Sequence, residues 1–111
     1  MYMKKIRLEN VDIDLKEKLK NEEFRRLYEF ESAKVALAQK IAELRQEGHL
    51  KQVDLAKKLG VSQQFVSQIE TGEERNLTIE TLIKIAQSLG RGISISFPKL
   101  SRRQSSYLKV T

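Results

Sequence analysis

From Asn21 onward the apolar positions fall into a helical rhythm. Phe24, Leu27 and Tyr28 stand at i, i+3 and i+4, which places them on one face of a helix. A second, longer helix is expected from about Ser32 to Glu47. There Ala33, Leu37, Ile41 and Leu44 recur at helical spacing, Ala38 and Ala42 lie beside them, and Gly48 supplies the stop. Two short helices follow. One runs from about Gln52 to Leu59 and ends at Gly60; the next runs from about Gln63 to Ile69, capped by Ser62 and closed by Gly72. Thr78 can cap a further helix, with Glu80 in its first turn where the helix dipole favours negative charge. Its apolar face is Leu82, Ile85, Ala86 and Leu89, and Gly90 ends it.

The rhythm then changes. Residues 93–97, "ISISF", alternate apolar and hydroxyl side chains, the pattern of a half-exposed strand. Pro98 ends that strand, and "KLSRRQSSYLKVT" reads as a mobile tail. At the other end, residues 1–20 mix charges densely: Ile6 and Leu8 suit a short strand, while Ile13, Leu15 and Leu19 suit a helix. The chain therefore divides into a partly helical N-terminal extension (1–31), a helical unit (32–90), and a strand with its tail (91–111).

Composition narrows the chemistry. A chain of 111 residues, 40% hydrophobic and 32% charged, suits one domain with a modest core. It has no cysteine, which excludes disulfides and thiolate-held metals, and its single histidine, His49, can build neither a zinc cluster nor a catalytic triad. No acid–base pair and no Gly-rich phosphate loop appears, so neither an enzyme nor a cofactor is expected. The opening "MYMKKIRLEN" is charged where a signal peptide is apolar, and no run approaches membrane-spanning length. A soluble, cytoplasmic protein is the expectation. Of the formal net charge of +6, the stretch from Arg91 to Thr111 carries +5, from five basic residues and no acid, which leaves +1 for the rest. A basic tail suits a polyanion such as nucleic acid, and equally suits simple solubility.

The two short helices meet several steric requirements at once. Helices crossing steeply need a small residue at their closest approach, and Ala56 is there. The tight turn needs a residue that accepts positive φ, and Gly60 follows four positions later. The core-facing positions must be apolar, and Leu55, Leu59, Val61, Val66 and Ile69 are. Seven requirements are met within fifteen residues, Leu55 to Ile69.

The stretch "HLKQVDLAKKLGVSQQFVSQIETG" resembles the helix-turn-helix domain of lambdoid phage repressors, Cro proteins and related bacterial regulators. The likeness extends over about Ala33 to Leu89. It implies an all-α, lambda-repressor-like bundle that binds double-stranded DNA, with the second short helix in the major groove, and a homodimer on two half-sites. "SQQFVSQ" is similar to a phage repressor's recognition helix, so Gln63, Gln64 and Gln68 are the implied base readers. A glutamine amide offers donor and acceptor together and matches adenine N6 and N7. The implied phosphate contacts are Lys51, Gln52, Ser62, Ser67, Arg75 and Asn76, and the resemblance pairs Arg45 with Glu70 as a structural ion pair.

The departures are specific. Lys51 stands where Thr or Ser usually caps the first short helix, so that cap is weak. The loop after the recognition helix reads "EERN", with Glu73 and Glu74 where basic residues usually grip phosphate. Phe65 sits where relatives carry a small residue; packing between helices suits it better than a thymine methyl. His49 reads as a solvated turn residue. The flanks "NEEFRRLYEF" and "LGRGISISF" resemble antitoxins of the host-inhibition-of-growth (HigA) type, which repress their own operon and neutralise a small RelE/HigB-like toxin. That resemblance makes Phe24, Leu27 and Tyr28 toxin-docking candidates, although packing on the following helix suits each of them slightly better. A free-standing repressor without a toxin is the alternative.

Overall fold

In the computed structural model the described residues are 21–74, 77–104 and 107–111. Four helices are present among them: α1 Glu22–Glu47, α2 Gln52–Leu59, α3 Gln63–Thr71 and α4 Ile79–Ser88. The strand and helix expected within residues 1–20 lie outside the described residues, as do Arg75 and Asn76.

The two helices expected before Gly48 are one. α1 runs 26 residues without a break, because nothing between Asn21 and Glu47 is a proline or glycine that would interrupt it. Asn21 starts it: its Oδ1 accepts from the Phe24 N–H at 3.1 Å. Ser62 and Thr78 start α3 and α4 in the same way, accepting from Phe65 N–H at 3.1 Å and Thr81 N–H at 3.2 Å. α2 lacks this. A lysine ammonium cannot accept, so only the reciprocal bond forms, Asp54 Oδ2 accepting from the Lys51 N–H at 2.8 Å.

All four helices stop by one device, a left-handed residue followed by an N–H that reaches back five positions. Val61 N–H donates to Ala56 O, Glu73 to Gln68 O, Arg91 to Ala86 O and Leu50 to Arg45 O, the longer bond of a Schellman motif. The left-handed residue is glycine in three cases, Gly60, Gly72 and Gly90. In α1 it is His49, at φ 57°, while Gly48 just before it has an ordinary φ of −80°. The glycine stands one position too early to relieve the strain. His49→Gly is therefore expected to stabilise the fold by about 0.5–1 kcal/mol, the left-handed penalty of a side chain less the entropy cost of glycine. Urea denaturation measures it, and no gain in midpoint would mean that His49 is held there by compensating contacts.

Two buried clusters share a boundary. Ile41 of α1, Ile69 of α3 and Ile85 of α4 form one, with Leu37, Phe65, Leu77 and Leu82 packed around them. Leu55 and Ala56 of α2 with Val66 of α3 form the other, and Leu59 and Leu89 touch both. Phe65 thus packs between helices. Val61 corrects the expectation that it faces the core, being 37% exposed. Its backbone N–H closes the α2 cap, and that leaves the side chain on the rim.

The expected C-terminal strand is not formed. Residues 91–100 have no regular secondary structure and are all exposed. A strand needs a ladder, and although Lys109, Val110 and Thr111 line the same cleft as Ile93, Ser94 and Ile95, no backbone hydrogen bond joins residues 93–97 to another described segment. The tail beyond Pro98 does not simply project away from the fold. Arg25 Nη2 donates to Arg103 O at 2.7 Å, and Lys109, Val110 and Thr111 line a cleft with Leu37, Leu44 and Leu82 between α1 and α4. No helix among the described residues is long and apolar enough to cross a membrane.

Candidate nucleic-acid interface

α3 divides cleanly into two sides. Val66 and Ile69 are buried and Phe65 is half-buried against the core. At 3.6 residues per turn, Gln63, Gln64, Ser67 and Gln68 fall on the opposite arc. Gln63 and Gln64 are exposed, and Ser67 and Gln68 are half-buried. Among the described residues, none of the three glutamine amides makes a hydrogen bond within the chain. Each amide keeps its full donor and acceptor capacity for something outside the chain.

Gln52 is used differently. Its Nε2 donates to Glu70 Oε1 at 3.2 Å, and Glu70 is already the hub of the scaffold behind the helices. Arg45 meets it with a two-pronged contact, Nε to Oε2 at 2.7 Å and Nη2 to Oε1 at 3.0 Å. The third guanidinium nitrogen of Arg45 donates to Leu50 O at 2.6 Å. The Glu70 carboxylate thus ties α1, α2 and α3 together, and Arg45 adds the following turn through Leu50 O. The pair is enclosed: the Arg45 and Glu70 side chains are 11% and 6% exposed. The Glu70 hydrogen bond, and secondarily its charge, raises the Arg45 pKa further, against the opposing effect of burial. Arg45 is therefore a permanent cation here. The link from Gln52 to Glu70 was not legible in the sequence, because a glutamine at the start of a helix looks the same whether it faces solvent or a buried carboxylate.

The other residues singled out from the sequence are distributed around this surface. Lys51 is exposed at the start of α2. Ser62 uses its oxygen as the α3 cap and keeps its O–H for a further acceptor. Glu73 is exposed and Glu74 half-buried just after α3. Phe24, Leu27 and Tyr28 are far along α1 from α3 in sequence; Leu27 is 60% exposed, and Phe24 and Tyr28 are half-buried.

No group of His, Cys, Asp and Glu that could hold a metal occurs among the described residues. The charge of the unit is balanced: residues 41–95 contain seven Lys and Arg against seven Asp and Glu. The outer arc of α3 presents neutral amides and a hydroxyl, with the exposed Lys51, Lys57 and Lys58 on or beside α2. Amides offer a patterned set of donors and acceptors where lysines offer mainly charge.

Residues 41–95 match the helix-turn-helix family. The chain therefore carries an XRE-type helix-turn-helix domain, a DNA-binding unit of transcriptional regulators. No curated protein and no solved structure shows significant similarity to it.

Proposed function

We propose that this chain is a sequence-specific repressor that binds double-stranded DNA as a homodimer, with Gln63, Gln64 and Gln68 reading base edges in the major groove. The observation that carries this reading is the unspent state of those three amides on the outer arc of α3. Lys51, Ser62, Ser67 and the first N–H groups of α2, at Gln52, flank them as phosphate contacts; Arg75 and Asn76 complete the set from the sequence. The neutral charge of residues 41–95 supports a binder whose affinity comes from base contacts and from pairing two copies rather than from charge alone.

Selection from a pool of random duplexes tests this. The full chain is expected to enrich a two-fold symmetric site whose half-sites are about 34 Å apart, one helical turn. Retention of the pool without enrichment would leave only non-specific binding and end the proposal.

The finer role we assign is that of an antitoxin that represses its own operon and neutralises a RelE/HigB-like toxin. Support comes from α1, where Leu27 and Phe30 stay exposed ahead of the matched stretch and Lys34 lies over the Phe30 ring at 5.5 Å. By helical periodicity these two residues lie away from Arg25 and Glu29, beside which the tail runs. The alternative, a free-standing repressor, lacks only that partner. Expressing the adjoining reading frame with and without this chain separates the two by growth.

A further inference from the structure

Folding of the single chain leaves residues 93–97 with a strand's pattern and no strand. Among the described residues none of these five exchanges a backbone hydrogen bond with another segment. All are exposed, Ile95 at 58% and Phe97 at 94%. Ile93 and Ile95 share a shallow apolar hollow with Ile79 and Ile83 of α4, two more isoleucines left exposed one turn apart. An open edge of this kind, joined to an apolar floor, is a site for pairing with another chain.

We infer that the occupant is a second copy of this chain, its residues 93–97 running antiparallel to the first about a two-fold axis through Ile95. The sequence is self-complementary in that register. Ile95 faces Ile95, Ile93 faces Phe97, and Ser94 faces Ser96, so apolar meets apolar and hydroxyl meets hydroxyl at every position. A register centred on Ser94 sets Phe97 opposite Arg91, and one centred on Ser96 sets Ser94 opposite Pro98, which has no N–H to give. There is no charge from Gly92 to Pro98, so nothing in the segment selects a charged partner and nothing repels its own copy. Arg91 and Lys99 would oppose each other just beyond the ends, which limits the ladder to five residues. Arg91 already has Glu47 at 2.9 Å to offset its charge. A two-stranded ribbon is marginal by itself, and the exposed Ile79 and Ile83 of both copies give its apolar face a floor. The pairing is closed and isologous, so it stops at two.

This surface rests on the dimeric reading above and is independent of which bases α3 reads. The test uses the full chain in analytical ultracentrifugation, with three variants. The chain is expected to sediment as a dimer, and Ile95→Lys, which sets like charges opposite each other on the axis, as a monomer that keeps its helical circular dichroism and whose melting temperature no longer depends on concentration. Ile95→Cys gives a cysteine in a chain that has no other, opposite itself at about 4.5–5.5 Å between Cα atoms, within disulfide reach. Mild oxidation should convert it to a covalent dimer. Ser94→Cys should not cross-link, since its own copy lies about 8 Å away in this register, two residues offset along the strand. An Ile95→Lys variant that stays dimeric, or equal cross-linking at 94 and 95, would overturn this surface while leaving a dimer in place. A wild-type chain that is monomeric at all concentrations would remove both. Binding of Ile95→Lys to a single half-site reports base reading separately.

Discussion

Glu70→Ala is expected to cost about 3–5 kcal/mol of folding stability, as is typical when one partner of a buried ion pair is removed. The cost arises from what is left behind. Arg45 would keep its charge in an enclosed position with only Leu50 O at 2.6 Å to receive it, and the Gln52 amide would lose its acceptor. That is a large part of a total stability of roughly 5–15 kcal/mol for a small domain. Replacing both partners by apolar residues, Arg45→Met with Glu70→Leu, should recover at least half of the loss, since no buried charge is then stranded. Urea denaturation of the three variants measures this. A Glu70→Ala loss below about 1 kcal/mol, the range of exposed ion pairs, would show that water reaches the pair and that it is not a structural tie.

Gln64→Ala separates the surface from the scaffold. The side chain is exposed and makes no hydrogen bond within the chain, so folding stability should stay within about 0.5 kcal/mol of the parent. Binding to the selected operator should weaken by about 1–3 kcal/mol, roughly 5- to 150-fold, the value of one bidentate base contact. Binding to unrelated duplex should hardly change, because that term comes from phosphate contacts. Titration of both duplexes at one salt concentration gives the comparison. Equal losses on the two would assign Gln64 to phosphate or to no contact, and would remove it from the base readers.

Much of the helical unit was legible because its determinants are local. The caps at Ser62 and Thr78 and the stop at Gly60 each follow from one residue's hydrogen-bonding or conformational preference. The apolar rows that end in Ile41, Leu55, Val66, Ile69 and Ile85 are read from spacing alone, and these five are buried. The end of α1 was legible in position but not in mechanism: a glycine was available at 48, yet the chain places the left-handed residue at His49. The helix's own geometry decides which residue takes that turn, and the Leu50 N–H to Arg45 O bond is made only from there.

Less of the outer parts could be read. The break expected near Ser32 is absent, since a change in apolar rhythm does not stop a helix that no residue interrupts. The sequence reads the tail as mobile and gives no contact for it; in the structure Arg25 Nη2 donates to Arg103 O at 2.7 Å. That contact spans 78 residues, a separation no local pattern encodes. The strand at 93–97 failed for a related reason: alternation states what a segment can do in a sheet, and a partner has to exist before it does so.

The division follows the range of the forces. Periodicity, capping and turn chemistry act within about one helical turn, so the order of residues alone settled α2, α3 and α4, the neutral outer arc of α3 and its three glutamines. Which amides stay free was decided in three dimensions. Gln52 and Gln64 are the same side chain near the start of two short helices, and folding brings only Gln52 to the Glu70 carboxylate, at 3.2 Å. Burial of that carboxylate beside Arg45 makes it a strong acceptor, and the distance from α3's outer arc leaves Gln64 with its donor and acceptor unspent.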